Sequence, residues 1–156
     1  LLVRPLGVRL PIYPVKGYSI TLPVEDGHSP PTIGGIDEDF KIAYSNLGDK
    51  VRLTTVAEFI GYDTTHSHKD FDYLLQSAHG LFPNAGNYDK AEYWAGLRPM
   101  TPDSLPILDT ALHSNLYFNT GHGHMGWTMA SGTARLTADL IAKRTPEISV
   151  DQLRFR

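Results

Sequence analysis

The sequence predicts an α+β fold: a mostly antiparallel sheet with one covering helix, followed by a C-terminal strand, turn and helix. Three observations carry this prediction. β-prone runs separated by Pro, Gly and Asn fill the first third of the chain, apolar residues fall at helical spacing after Ser67, and a short strand, LYFN, meets a glycine-rich turn and a second helical stretch.

Each element follows from its residues. Ile12 to Val24 (IYPVKGYSITLPV) is rich in β-branched and aromatic residues, and after Gly17 it alternates like a half-buried strand, with the glycine at a bulge or a close approach. Asp26 to Gly35 carries Pro, Gly and Ser and reads as an exposed loop. Phe40 to Tyr44 and Val51 to Ala57, joined through Ser45 to Lys50 with its Asn, Gly and Asp, predict a hairpin, and Glu58 to Gly61 can extend its second strand. Phe71, Leu74, Leu75, Ala78 and Leu81 predict an amphipathic helix with Ser67 as N-cap and Gly80 and Pro83 as its stop. Tyr93 to Arg98 reads as a strand that ends where Pro99 and Pro102 interrupt regular structure. Leu116 to Asn119 is a short buried strand, and Trp127 to Lys143 a helix whose apolar stripe is Trp127, Ala130, Ala134, Thr137 and Ile141, with Lys143 and Arg144 at the dipole's negative end.

Composition narrows the function. The chain has 156 residues, 41% hydrophobic and 20% charged, enough for one core or for one domain and a piece of another. Fourteen basic and 17 acidic residues give a net charge of −3 with no basic patch, which argues against nucleic acid as a partner. With no cysteine there is no disulfide framework, thiolate metal site or cysteine nucleophile. No apolar run approaches the roughly 20 residues that span a bilayer. The chain opens on Leu1-Leu2-Val3-Arg4 without methionine or a signal-peptide pattern, so the expectation is a piece of a longer protein.

Gly121-His122-Gly123-His124-Met125-Gly126 matches G-x-G-x-x-G between a strand and a helix, the dinucleotide fingerprint. That motif needs a βαβ unit with an acidic residue ending the second strand; Asp139 instead lies within the helix, and about a dozen residues follow Arg144. Two other readings remain. The turn has no ligand, or its glycines and the helix amino end offer N–H groups and partial positive charge to an anion, such as the pyrimidine edge of a reduced flavin.

Trp94 to Asp109 (WAGLRPMTPDSLPILD), Tyr117 to Ile141 (YFNTGHGHMGWTMASGTARLTADLI) and the PVKGY string from Pro14 to Tyr18 bear on that choice. Together they resemble the C-terminal signature of the FAD-dependent D-amino-acid oxidase and glycine oxidase family, in its D-amino-acid dehydrogenase branch. The resemblance implies a substrate-binding domain over residues 1–103 and the C-terminal part of an FAD-binding domain over 104–156, with the N-terminal FAD-binding half absent. It implies that Arg98 pairs with the substrate carboxylate, a role suited to a bidentate guanidinium. It implies that Gly123, His124, Met125, Gly126, Trp127 and Thr128 meet the flavin and that Tyr44 lines the substrate pocket; a core tyrosine is the alternative for Tyr44. Related oxidases carry a second arginine in the turn, where this sequence has His124 and Met125. The implied reaction is oxidative deamination of a D-amino acid, with electrons passed to a respiratory acceptor, in a cytoplasmic protein that can sit at the inner membrane surface. An oxygen-using amine or glycine oxidase, or a folded binding domain without chemistry, are the alternatives.

Two further constellations carry less. His66-x-His68 and His122-x-His124 sit in turns, where i and i+2 do not share a face, so solvated histidines are preferred to a metal site. Ser131 lacks the G-x-S-x-G spacing of a hydrolase nucleophile.

Overall fold

A computed structural model describes residues 2–110 and 113–155. They form two compact units, Val15–Leu97 and Leu1–Pro14 with Arg98–Arg156. This differs from the expected division at 103/104: the first 14 residues belong with the C-terminal unit, and the boundary after residue 97 falls inside a strand.

The Val15–Leu97 unit is built on a five-stranded sheet in the order β2-β3-β4-β1-β5, with β1 Tyr13–Pro23, β2 Gly35–Asp37, β3 Ile42–Asn46, β4 Lys50–Glu58 and β5 Glu92–Met100. The β2–β3, β3–β4 and β4–β1 pairs are antiparallel. Gly17 sits at the expected irregularity: the β1–β4 register slips between Lys16 and Tyr18. β1 is not half-buried, however, since every residue from Val15 to Leu22 is buried. As an inner strand it holds hydroxyls on its second face, and these are satisfied by pairing: Arg52 Nε donates to Thr21 Oγ1 at 3.1 Å. β4 stops at Glu58, short of the extension to Gly61, and β2 falls at the end of the segment read as loop.

The covering helix forms as the apolar spacing predicts. Ser67 opens a short 3-10 turn, His68–Phe71, its N–H donating to Asp70 Oδ2 at 2.7 Å, and α1 follows over Asp72–Leu81. Gly80 lies inside α1 rather than ending it; the stop is Phe82, whose extended φ of −138° suits the residue before Pro83. Phe71, Leu74 and Ala78 close over Tyr18, Ile20, Leu22, Ile42, Val51 and Leu53 to make the core. Pro99 does not end β5, because β5 is an edge strand where a missing N–H is tolerated.

In the other unit β6 Ile107–Thr110, which the sequence reading missed, pairs antiparallel with β7 Tyr117–Thr120. Next come a 3-10 turn, Gly123–Met125, and α2, Gly126–Ile141. The predicted apolar stripe of α2 is corrected: Trp127 is 96% exposed and Ile141 53%, while the buried face is Thr133, Leu136 and Asp139, with Leu136 on Leu108 and Val150. Periodicity fixes the spacing of a stripe but not which of two stripes offset by one residue meets the core. α2 closes in a Schellman motif, with Lys143 at φ +55°, Lys143 N–H donating to Leu140 O at 3.2 Å and Arg144 N–H to Asp139 O at 2.8 Å.

Asp139 accepts from Arg144 Nε at 2.8 Å and Arg135 Nε at 3.3 Å. The Arg144 hydrogen bond, with that of Arg135 and their charges, holds its carboxyl below the ordinary carboxylate value against the opposing effect of burial. A lowered folded pKa means this stabilisation is full above the unfolded value of 3.8 and is lost as pH falls through the folded one. Asp139→Asn is therefore expected to lower the thermal midpoint at neutral pH, and the gap from wild type is expected to close on acidification below that value. Melts across an acid pH series check this.

Candidate functional site

The glycine turn between β7 and α2 is set by its contacts with the last residue of β5 and the residue after it. Gly121 and Gly123 have φ of +76° and +55°, and a Cβ on them would meet Thr101 Cγ2 at 2.8 Å and Met100 Sδ at 2.6 Å. Only glycine fits both demands. The room beside these two glycines is thus occupied by the chain's own Met100 and Thr101.

The open part of the turn lies further on. α2 starts with no side-chain cap and no acidic residue in its first turn. His124, Met125, Trp127 and Thr128 are exposed, while Gly123 and Gly126 are half-buried. A sixteen-residue helix whose amino end is neither capped nor acidic suits an anionic ring edge, so these residues fit a flavin through their backbone groups. The six predicted cofactor residues are contiguous there.

Arg98 lies near the end of β5, half-buried, and burial pushes its guanidinium down from its ordinary value. Tyr44 lies in the other unit, on β3 beside Gly35 of β2 and Leu53 of β4. Its ring lies across Gly35, where a Cβ would come within 2.5 Å of the phenol oxygen, and packs edge-on against Phe82 at 4.7 Å. Tyr44 therefore takes part in the sheet's packing as well as standing at its surface.

The histidines divide. His66 and His68 are exposed but lie edge-on against Phe71 at 5.4 Å and Tyr93 at 4.4 Å. His122 departs from the solvated reading: it is half-buried, with Nε2 3.2 Å from Thr133 Oγ1 on α2. The pairing of His122 with Thr133 was not marked by the sequence, because the contact spans 11 positions across a turn and a helix.

Lys16 was also missed. It is buried at the β1 bulge, donates to the carbonyl of Thr65 and lies 5.0 Å from the Tyr18 ring, whose hydroxyl donates to Glu58 Oε2 at 2.6 Å. Burial opposes its charge, yet the hydrogen bond and charge of Tyr18, with Asp63 and Glu58, hold the ammonium above its ordinary value. Its place beside Gly17 in the PVKGY string was the available signal. A cleft of about 200 Å³ lined by Pro11, Thr101, Asp103, Leu105, Leu153 and Phe155 contains none of the predicted site residues. No helix among the described residues is long and apolar enough to cross a membrane.

Comparison with known proteins decides the family. The model of the FAD dependent oxidoreductase (DAO) family matches residues 1–140, nine-tenths of the chain. This chain belongs to the FAD-dependent oxidoreductase family. Among the relatives of this chain, D-amino acid dehydrogenase 2 of Mesorhizobium japonicum is 55% identical over 95% of the chain and 36% of that protein. D-amino acid dehydrogenase of Methylobacterium radiotolerans is 49% identical over 97% of the chain and 36% of that protein. The chain thus spans about a third of the length of these curated relatives. Glycine oxidase from Geobacillus kaustophilus superposes with a TM-score of 0.82 at 23% identity, over 99% of this chain and 42% of its own. Iminodiacetate oxidase from Chelativorans sp. BNC1 gives 0.85 at 21% identity, over 98% and 42%. At such identities the two structures establish the shared fold, and the family supplies the cofactor, FAD.

Proposed function

We propose that this chain is the substrate-recognising and flavin-facing part of a longer D-amino acid dehydrogenase. The observation that carries this is the 55% identity to D-amino acid dehydrogenase 2 across 95% of the chain, which embraces both the GLRP string and the glycine turn. Arg98 anchors the substrate carboxylate through its two-pronged donors. Gly123, His124, Met125, Gly126, Trp127 and Thr128 and the amino end of α2 face the cofactor, mostly through backbone groups other than the Met125 N–H, which His122 O already accepts, giving partial positive charge where reduction places negative charge. Held there, FAD would supply the two-electron oxidising chemistry that takes the substrate's α-hydrogen, and hydrolysis by water of the resulting imino acid would give a 2-oxo acid and ammonia. Tyr44 borders the substrate from the sheet. The protein contributes orientation and electrostatics, and the only proton to be removed beforehand is one from the substrate ammonium.

A cytoplasmic site at the inner membrane surface, within reach of a respiratory acceptor, completes the proposal. The exposed Trp127, Ala130 and Ala134 face of α2 suits coverage by the rest of the longer protein.

Two measurements test this reading. The whole protein should release FAD on denaturation and reduce an artificial electron acceptor with D- but not L-amino acids, even without oxygen. The 156-residue chain alone should bind FAD weakly or not at all. Tight stoichiometric binding by the chain alone, or turnover that depends on oxygen, contradicts the proposal.

A further inference from the structure

The half-buried His122 is tied by its side chain to α2, the helix that follows it. Thr133 is 7% exposed, and its Oγ1 lies 3.0 Å from Met129 O and 3.4 Å from Ala130 O, both on the preceding turn of α2. Carbonyl oxygens only accept, so the single hydroxyl proton is directed to them. With the hydroxyl proton so directed, the lone pair left on Oγ1 meets His122 Nε2 at 3.2 Å, an arrangement in which the ring donates from Nε2. The backbone of the same residue anchors the 3-10 turn, with Met125 N–H donating to His122 O at 2.9 Å. One residue thus joins the turn Gly123–Met125 on one side to the second turn of α2 on the other.

We propose that His122 is a positioning residue for the cofactor: through its Nε2–H bond to Thr133 and its carbonyl's hold on the Met125 N–H it fixes the turn, and so the direction in which the remaining amides from Gly123 to Thr128 point. The inference rests on the reading that these amides face FAD. A positioned N–H array binds an anionic edge without first having to be ordered. Loss of the clamp lets the turn move while the hydrophobic contact of Leu136 with Leu108 and Val150 continues to hold α2.

The test uses the whole protein, stripped of FAD and titrated with it, in four forms: wild type, Thr133→Val, His122→Asn and His122→Gln. Thr133→Val removes the acceptor at nearly constant shape. Asparagine places its amide too close to the backbone to reach Thr133, whereas glutamine sets an N–H near the position of Nε2. Loss of one such hydrogen bond is expected to weaken FAD binding about three- to tenfold in Thr133→Val and His122→Asn. His122→Gln is expected to stay within about twofold of wild type, by the same hydrogen-bond accounting, and to restore the visible flavin band that shifts in His122→Asn. A merely structural role would not yield this recovery of the flavin spectrum. If wild type binds FAD and all three variants bind it equally well, or if His122→Gln is as impaired as His122→Asn, the clamp is overturned while the flavin-facing turn stands. If wild type binds no FAD, the flavin-facing reading fails and the clamp's role falls with it. Should Thr133→Val not fold, the comparison of His122→Asn with His122→Gln decides by itself.

Discussion

In the whole flavoprotein, Arg98→Ala is expected to lower kcat/KM for D-amino acids by about a hundred- to a thousandfold, the equivalent of about 3–4 kcal/mol. The magnitude reflects the loss of two charge-assisted bonds to a carboxylate in a setting where Arg98 is already half-buried on β5. A carboxylate left there without its partner meets a partly desolvated strand end rather than bulk water, and this cost adds to the missing bonds. Arg98→Lys keeps the charge but offers one point donor instead of a planar fork, so its main effect is a raised KM. FAD content should be unchanged in both variants, since the cofactor is proposed to sit at the turn before α2. Steady-state kinetics beside the flavin absorbance of each preparation check the pair of expectations; unchanged kinetics would remove Arg98 from the site.

Phe71→Ala is expected to destabilise the protein by about 3–5 kcal/mol. Phe71 is fully buried where the 3-10 turn enters α1, and its ring makes edge-on contacts with Tyr18 at 5.3 Å and Tyr93 at 4.9 Å. Truncation removes the apolar transfer free energy of a large side chain and leaves a cavity bounded by strands β1 and β5 that cannot collapse into it. It also withdraws the aromatic pairs, each worth about 0.5–1.5 kcal/mol beyond area burial. Denaturant melts read the loss as a lower midpoint with little change in slope. Phe71→Leu, which keeps most of the volume, should recover most of the difference.

The parts of the fold visible in the sequence were those with a local cause. Gly17 marked the slip in the β1–β4 register because a glycine within a β-branched run has few other uses, and Ser67 marked the entry to α1. What the sequence could not display was anything decided by neighbours. Polar Ser19 and Thr21 suggested a half-exposed strand, yet β1 is covered on both faces. Pro99 suggested an end to β5, although an edge strand accepts proline. β6 was hidden in a proline-flanked run of four residues whose strand character comes from β7 alongside it.

The candidate site followed the same division. The glycine string, its place between β7 and α2, and the arginine of the GLRP string were all legible as strings. The reason for Gly121 and Gly123 was not: they admit Thr101 and Met100 from a distant segment. His122 looked equivalent to His124 in sequence, and only the winding of α2 brings Thr133 to its ring. The outward stripe of α2 through Trp127 was read as core because a side chain's period is local while its environment is not.

In the proposed flavin-facing turn the amides between Gly123 and Thr128, apart from that of Met125, lie against the cofactor, and amide hydrogen exchange on the whole protein, with and without FAD, measures this directly. Exchange at these positions is expected to slow markedly when FAD is added, with little change along β4 from Lys50 to Glu58. Saturating FAD that leaves exchange at Gly123 to Thr128 unchanged would contradict the account, because a cofactor would then be bound elsewhere.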